Sequence, residues 1–345
     1  MAKKQERVLF YFALFGLLLV GFFIPTDFIL IKPGEVRDLS KVVAVEGADA
    51  DDRGKFYLVT VTQQQARLWS LIYGYLHPHI EVRRYSAVIP QGMDLRDYRR
   101  LLDQWMQESK DTASVIALRR AGYDVEIISE GAMVVGFLEN SPSQGILQKG
   151  DIITAVDGKK MALTSEVISA VQNRRVGDPV QLTVRRGSEE LNMTVTTGPL
   201  PDSPELPALG VYITTVDWKP VLPLKVELET GMIGGPSAGL MFVLEILNQL
   251  LPEDLTAGKL IAGTGTMDLD ENVGQIGGVY QKVIAAERAG AEYFFVPVEN
   301  YEAAKAAAHK ITLVPVTNLQ EVLDFLDSLA AASGSSFQAE RAPAA

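Results

Sequence analysis

Two side chains in this sequence have the types needed for a nucleophile and its base. Ser237 sits in Gly234-Gly235-Pro236-Ser237-Ala238-Gly239, directly ahead of the apolar run Leu240-Met241-Phe242-Val243-Leu244-Glu245-Ile246-Leu247. Gly and Pro punctuate a turn, and the run after it reads as a buried helix. Ser237 therefore falls where a loop becomes a helix. Free backbone N–H groups and the positive end of the helix dipole gather there, which suits a hydroxyl whose reaction develops an oxyanion. Gly234 and Gly235 are the turn residues placed to contact that oxyanion. The plain alternative is a serine that only caps its helix. What distinguishes this turn is its partner.

The partner is Lys282, in Val279-Tyr280-Gln281-Lys282-Val283-Ile284-Ala285-Ala286-Glu287-Arg288-Ala289-Gly290. The pattern is a helix closed by Gly290. At helical spacing Lys282 shares its face with Gly278, Val279, Ala285, Ala286 and Ala289, while Gln281, Glu287 and Arg288 point elsewhere. A lysine centred in small apolar residues is desolvated, which disfavours its charged form. At a reference pKa near 10.4, fewer than about one lysine in a thousand is neutral at pH 7. Bringing that pKa to about 7 to 8 takes about 4 kcal/mol, which burial can supply. A neutral Lys282 can then accept the Ser237 proton. The alternative is a lysine that snorkels past its apolar neighbours to water.

These residues belong to a longer series of motifs. Gly235-Pro236-Ser237-Ala238-Gly239 is followed by Gly263-Thr264-Gly265, Val273-Gly274-Gln275-Ile276-Gly277-Gly278, Lys282, Ala289-Gly290-Ala291 and Val296-Pro297-Val298-Glu299-Asn300. In order and spacing the series resembles the proteolytic domain of Lon proteases. The resemblance implies that Ser237 attacks a peptide carbonyl, that Lys282 is the general base, and that Thr264 hydrogen-bonds the lysine. The sequence departs from the family at Gly234, where many members carry an acidic residue, and at Gln275, which replaces a common proline.

Composition narrows the remaining options. A chain of 345 residues with 47% hydrophobic content exceeds one ordinary domain and supports sizeable cores. Its net charge of −11 argues against a nucleic-acid partner. The absence of cysteine excludes disulfides, thiolate metal sites and a cysteine nucleophile. His77-Pro78-His79 lacks a third ligand, so neither a metal nor a cofactor is expected.

Ahead of the catalytic motifs lie three further segments. Lys3, Lys4 and Arg7 precede the uncharged run from Val8 to Ile24. At 1.5 Å per residue the run is roughly 26 Å long, the short end of a spanning helix. The basic flank puts the N-terminus in the cytoplasm and the body outside it. No small-x-small cleavage site follows the run, so an uncleaved single-pass anchor is expected over residues 8–31. Residues 35–118 read as two strands, a helix over Gln63 to Leu76 and a charged helix from Leu95 to Lys110. They fit either a small separate domain or the first half of the protease fold.

Residues 121–198 carry Val134-Val135-Gly136-Phe137-Leu138, Ser141-Pro142, Lys149-Gly150-Asp151-Ile152-Ile153-Thr154-Ala155-Val156-Asp157-Gly158 and Val180-Gln181-Leu182-Thr183-Val184. This series resembles a bacterial PDZ domain. The resemblance implies peptide binding at a sheet edge, with Gly122, Tyr123 and Val125 in the loop that meets the peptide terminus. Pro199, Pro201, Pro204 and Pro207 read as a stiff linker into a catalytic domain over 205–330, and residues 331–345 as a disordered tail.

The combined expectation is an α+β protein with an N-terminal transmembrane helix, a PDZ-like β-rich domain and a Lon-type proteolytic α/β domain. No G-x-x-x-x-G-K-[ST] occurs, so proteolysis without ATP is expected, on exposed or unfolded protein and peptide segments outside the cytoplasm. A homo-oligomer is compatible with the sequence. Two other readings remain: a non-catalytic PDZ adaptor, and an α/β-hydrolase built on the literal G-x-S-x-G, for which His309 is the sole histidine after Ser237.

Overall fold

The computed structural model describes residues 21–48, 53–89, 94–138, 140–200 and 203–332. From Pro25 the chain is extended. Strand β1 (Pro25–Asp38) is followed by β2 (Val43–Val45), β3 (Lys55–Arg67), helix α1 (Leu68–Leu76), β4 (Glu81–Arg84) and the long helix α2 (Leu95–Arg120). The anchor expected over 8–31 is thus corrected at its C-terminal end. Ile29, Leu30 and Ile31 are buried in a sheet, paired with β3 on one side and β4 on the other. Pro25 cannot sit in a helix interior, and the β-branched residues after it suit a pleated surface. Residues 1–20, which hold the rest of that segment, lie outside the described residues. No helix among the described residues is long and apolar enough to cross a membrane.

The middle of the chain is a β-rich unit spanning Val125–Pro223. It contains β5 (Gly131–Phe137), β6 (Ile152–Val156), α3 (Thr164–Gln172), β7 (Pro179–Arg186), β8 (Glu189–Thr196), β9 (Ser203–Ala208) and β10 (Val211–Val216). Its main sheet runs β8-β7-β6-β5-β10. The unit begins and ends later than the expected 121–198, because β10 completes the sheet beside β5. The proline-rich stretch read as a linker is a two-stranded ribbon instead, with Pro199 opposite Pro207. Such a ribbon tolerates proline on its edges.

The other unit joins the described residues up to Asp124 with those from Leu224 onward. Its second half supplies β11 (Val226–Leu228), α4 (Gly239–Leu250), β12 (Leu260–Gly263), α5 (Val279–Arg288), β13 (Tyr293–Pro297), β14 (Thr312–Val316) and α6 (Leu319–Ala332). The sheet order is β14-β13-β12-β3-β1-β4, so strands from both halves of the chain interleave. β3, β12, β13 and β14 are mutually parallel, and β1 is antiparallel to β3 and β4. Period-two alternation sends Leu58, Ile261 and Phe295 into one core with α2, α4 and α6. Val59, Ala262 and Phe294 enter a second core with α5 on the opposite face. The helix read over Gln63 to Leu76 begins only at Leu68, because Gln63, Gln64 and Gln65 continue β3 opposite β1. The helix expected to end at Lys110 continues to Arg120 on a buried Thr112–Leu118 stripe. Of the expected tail, residues 333–345 lie outside the described residues.

Inside α4, Glu245 is 2% exposed, and burial pushes its carboxyl up to about 7. Gln249 Nε2 donates to Glu245 Oε1 at 2.8 Å and to the Val43 carbonyl at 3.0 Å, while Gln249 Oε1 accepts from Val45 N–H at 3.1 Å. A raised folded-state pKa means that this group's stabilising contribution is present below about pH 4.5 and is lost as pH rises through about 7. Glu245→Gln keeps the acceptor and the volume without the charge. Urea unfolding at pH 5 and pH 8 is expected to give parent and variant equal stability at pH 5. At pH 8 the variant should be more stable by about 2 kcal/mol.

Candidate active site

The site forms at the C-terminal ends of the central parallel strands, where helices from the two faces of the sheet meet. Ser237 precedes α4 on one face, and Lys282 lies in α5 on the other. Thr264 follows directly on β12 between them. Lys282 Nζ is 2.7 Å from Ser237 Oγ and 2.9 Å from Thr264 Oγ1. Thr264 Oγ1 in turn donates to the Ser237 carbonyl at 2.9 Å, leaving its lone pairs to accept from the lysine. Gly265 N–H donates to the same carbonyl at 3.0 Å, which ties the serine backbone to the end of β12.

Lys282 is 2% exposed, and burial alone pushes its amine down to about 7. No carboxylate pairs with it among the described residues. Near neutrality, a large share of the amine is therefore deprotonated. The nitrogen lone pair can then accept from the Ser237 hydroxyl while Thr264 Oγ1 accepts one amine N–H. Ser237 itself is half-buried, open enough for a carbonyl to approach.

The serine loop is held by the first half of the chain, which the sequence reading missed. The Leu102 carbonyl accepts from Gly235 N–H at 2.8 Å, and Ser109 Oγ donates to the Pro236 carbonyl at 3.2 Å. Lys110 Nζ donates to the Leu228 carbonyl at 2.8 Å. All three groups belong to α2, and no local pattern in a charged helix announces such contacts. Gly235 adopts φ 92°, which favours glycine in the turn. Its N–H is committed to Leu102, so its expected oxyanion role is corrected to that of a turn residue. Gly234 packs close to Leu102 in the same turn. The N–H groups of Ser237 and Ala238 have no protein partner among the described residues and stand at the start of α4.

The residues assigned to a peptide-binding loop are also reassigned. Gly122 N–H donates to the Arg119 carbonyl and Tyr123 N–H to the Leu118 carbonyl, so both close α2, with Gly122 at φ 90°. Those donors are not available to a carboxylate. Val125 is buried. A hydrophobic–glycine–hydrophobic run does occur at Leu209-Gly210-Val211, where β10 begins as the terminal strand of the sheet. His309, the residue that the hydrolase reading requires, directs Nδ1 to the Ala307 carbonyl at 3.0 Å.

A half-buried hydroxyl, a desolvated amine and a strand-end threonine thus meet within hydrogen-bonding distance, a geometry in which an amine can serve as base to a hydroxyl. Residues 226–327 match the Lon protease (S16) C-terminal proteolytic domain, and residues 108–197 match the PDZ domain. Lon protease 2 of Bacillus subtilis is 37% identical over 94 residues, 27% of this chain and 16% of the relative. Serine protease HTRA3 of Mus musculus is 32% identical over 106 residues, 30% of this chain and 22% of the relative. The chain thus spans about a fifth or less of the curated relatives it matches. Among solved structures, the PDZ domain of an SdrC-like protein from Listeria monocytogenes is 21% identical, covering 26% of this chain and 92% of that one, with a TM-score of 0.24. The C-terminal segment is similar to Lon-type serine peptidases and the middle segment to PDZ domains. The PDZ match starts within α2 and ends before β10.

Burying an ionisable amine leaves a thermodynamic signature. Between about pH 7 and pH 10.5 the unfolded chain holds one more proton at Lys282 than the folded chain, so stability rises with pH across that window. Lys282→Met fills the same space without the titration. It is expected to be more stable than the parent at pH 6 by about 2–4 kcal/mol, with the gap closing by pH 10. Denaturant midpoints at the two pH values measure it.

Proposed function

We propose that the protein is a membrane-anchored serine endopeptidase that works without ATP, with Ser237 as nucleophile and Lys282 as general base. The observation that carries this reading is the 2.7 Å approach of a buried, uncompensated amine to Ser237 Oγ. Neutral Lys282 accepts the hydroxyl proton as Ser237 Oγ bonds to the peptide carbonyl carbon. The carbonyl oxygen becomes an oxyanion beside the unpartnered N–H groups of Ser237 and Ala238. Collapse breaks the C–N bond, the departing amine takes the proton from Lys282, and an acyl ester remains on Ser237. Water then attacks the ester, giving its proton to Lys282. The second collapse releases the acid and returns that proton to Ser237. Thr264 positions the base by accepting one of its N–H bonds.

The anchor and the extracytoplasmic location rest on the basic residues before the run from Val8 to Ile24. Action without ATP rests on the lack of a phosphate-binding loop motif in these 345 residues. The substrates proposed are exposed or unfolded segments of proteins, which need no motor to open them. The PDZ-like unit serves substrate binding, with an extended peptide adding to the open side of β10 near α3.

Hydrolysis of a fluorogenic unstructured peptide tests the assignment. Ser237→Ala and Lys282→Arg are expected to be inactive with unchanged circular dichroism, because a guanidinium does not deprotonate. His309→Ala should stay within about threefold of the parent, and Thr264→Val should lose roughly tenfold for one hydrogen bond to the base. The parent's kcat/KM should rise with pH through about 7 as Lys282 loses its proton. An active Lys282→Arg enzyme would overturn the mechanism.

A further inference from the structure

Helix α1, Leu68-Trp69-Ser70-Leu71-Ile72-Tyr73-Gly74-Tyr75-Leu76, is apolar at almost every position, yet only Gly74 is buried. Leu68, Ile72, Tyr75 and Leu76 are 38, 45, 66 and 79% exposed. Their spacing of i, i+4, i+7 and i+8 gathers them on one face. The other side of the helix rests on β1, β3 and β4, with Gly74 against Leu30. An uncovered apolar stripe of this kind marks an interaction surface.

Three observations identify what covers it. The first is continuity with the chain that leaves the apolar N-terminal run. Leu68 N–H donates to the Ile24 carbonyl at 3.2 Å, and Arg67 Nη1 donates to the Phe22 carbonyl at 3.0 Å. Phe22 and Phe23, 57 and 72% exposed, extend the same surface. The second is side-chain chemistry. Trp69, Tyr73 and Tyr75 combine an apolar ring with a polar tip, the combination enriched where membranes meet water. The third is charge. Arg67 and Arg84 are exposed beside the helix, with Arg83 next to them paired to Glu81, a basic border in a chain of net charge −11. Such a border complements lipid phosphates. At nine residues the helix is too short to span a bilayer and long enough to lie along its surface.

We propose that α1, together with Phe22 and Phe23, lies in the interfacial layer of a lipid bilayer and seats the catalytic unit on the membrane. The inference rests on the anchored reading of the N-terminal run. The loop after α1 reaches the base helix, with the rings of His79 and Tyr280 6.5 Å apart. The surface that meets lipid is thus one loop away from α5, which carries Lys282. This arrangement suits polypeptide segments emerging from the same membrane.

The cysteine-free chain permits single labelling. Leu76→Cys and, as a control at an exposed position of the short helix Tyr301–Lys305, Lys305→Cys each receive a nitroxide in the full chain. Both are reconstituted into phosphatidylcholine–phosphatidylglycerol vesicles. The label at position 76 is expected to relax several-fold more with oxygen than with an aqueous nickel chelate, and the label at position 305 to show the reverse. Chain that floats with the vesicles while both labels meet the chelate equally would overturn the seating and leave the anchor standing. Chain that fails to float would overturn the anchor and the seating together. Dipolar broadening at position 76, removed by dilution with unlabelled chain, would assign the face to a second copy and overturn the lipid assignment.

Discussion

The buried amine of Lys282 is the constraint on which the unit built from both halves of the chain depends. A lysine enclosed by protein with no carboxylate partner is destabilising by several kcal/mol when charged. The fold accommodates it only because Ser237 and Thr264 supply polar contacts at 2.7 and 2.9 Å. A neighbouring acid would stabilise the ammonium and raise the pKa, which would remove the basic lone pair that the proposed reaction requires. The apolar surroundings on α5 therefore belong to the proposed chemistry as much as to the packing.

Meeting that constraint takes both halves of the chain. α5 covers one face of the mixed sheet and α4 the other, and β12 ends between them so that Thr264 reaches both Lys282 Nζ and the Ser237 carbonyl. The turn bearing Ser237 has little structure of its own. Its Gly235 N–H and Pro236 carbonyl are both bonded to α2, an element from the first half of the chain. Along the sequence the middle unit follows α2 and precedes β11.

Legibility was uneven along the chain, and particular residues explain where it failed. Hydropathy carried the anchor segment past Pro25 to residue 31, although Ile29 and Ile31 suit a strand as well as they suit lipid. A window average cannot separate the two. The prolines between 199 and 207 read as a linker because proline-rich chain is stiff and extended, yet an edge ribbon accepts the same extended residues since it needs few ladder donors. Gly122 and Tyr123 read as a binding loop, whereas the long α2 uses both to close its last turn. In each case the residue types were read correctly and their partners were not.

By itself the sequence determined the chemistry that was available. It placed a serine at a loop-to-helix junction, a lysine in a stripe of small apolar residues and a threonine after a short apolar strand. Each of these is a pattern over about ten residues, the range in which helix and strand periodicity operate. Only the tertiary structure decided that the three side chains share one hydrogen-bonded cluster, that α2 holds the serine turn, and that one face of α1 is left exposed. Those outcomes depend on pairings such as Leu102 with Gly235 and Leu30 with Gly74. Contacts between residues so far apart along the chain follow from how whole elements pack, and no local spacing encodes them.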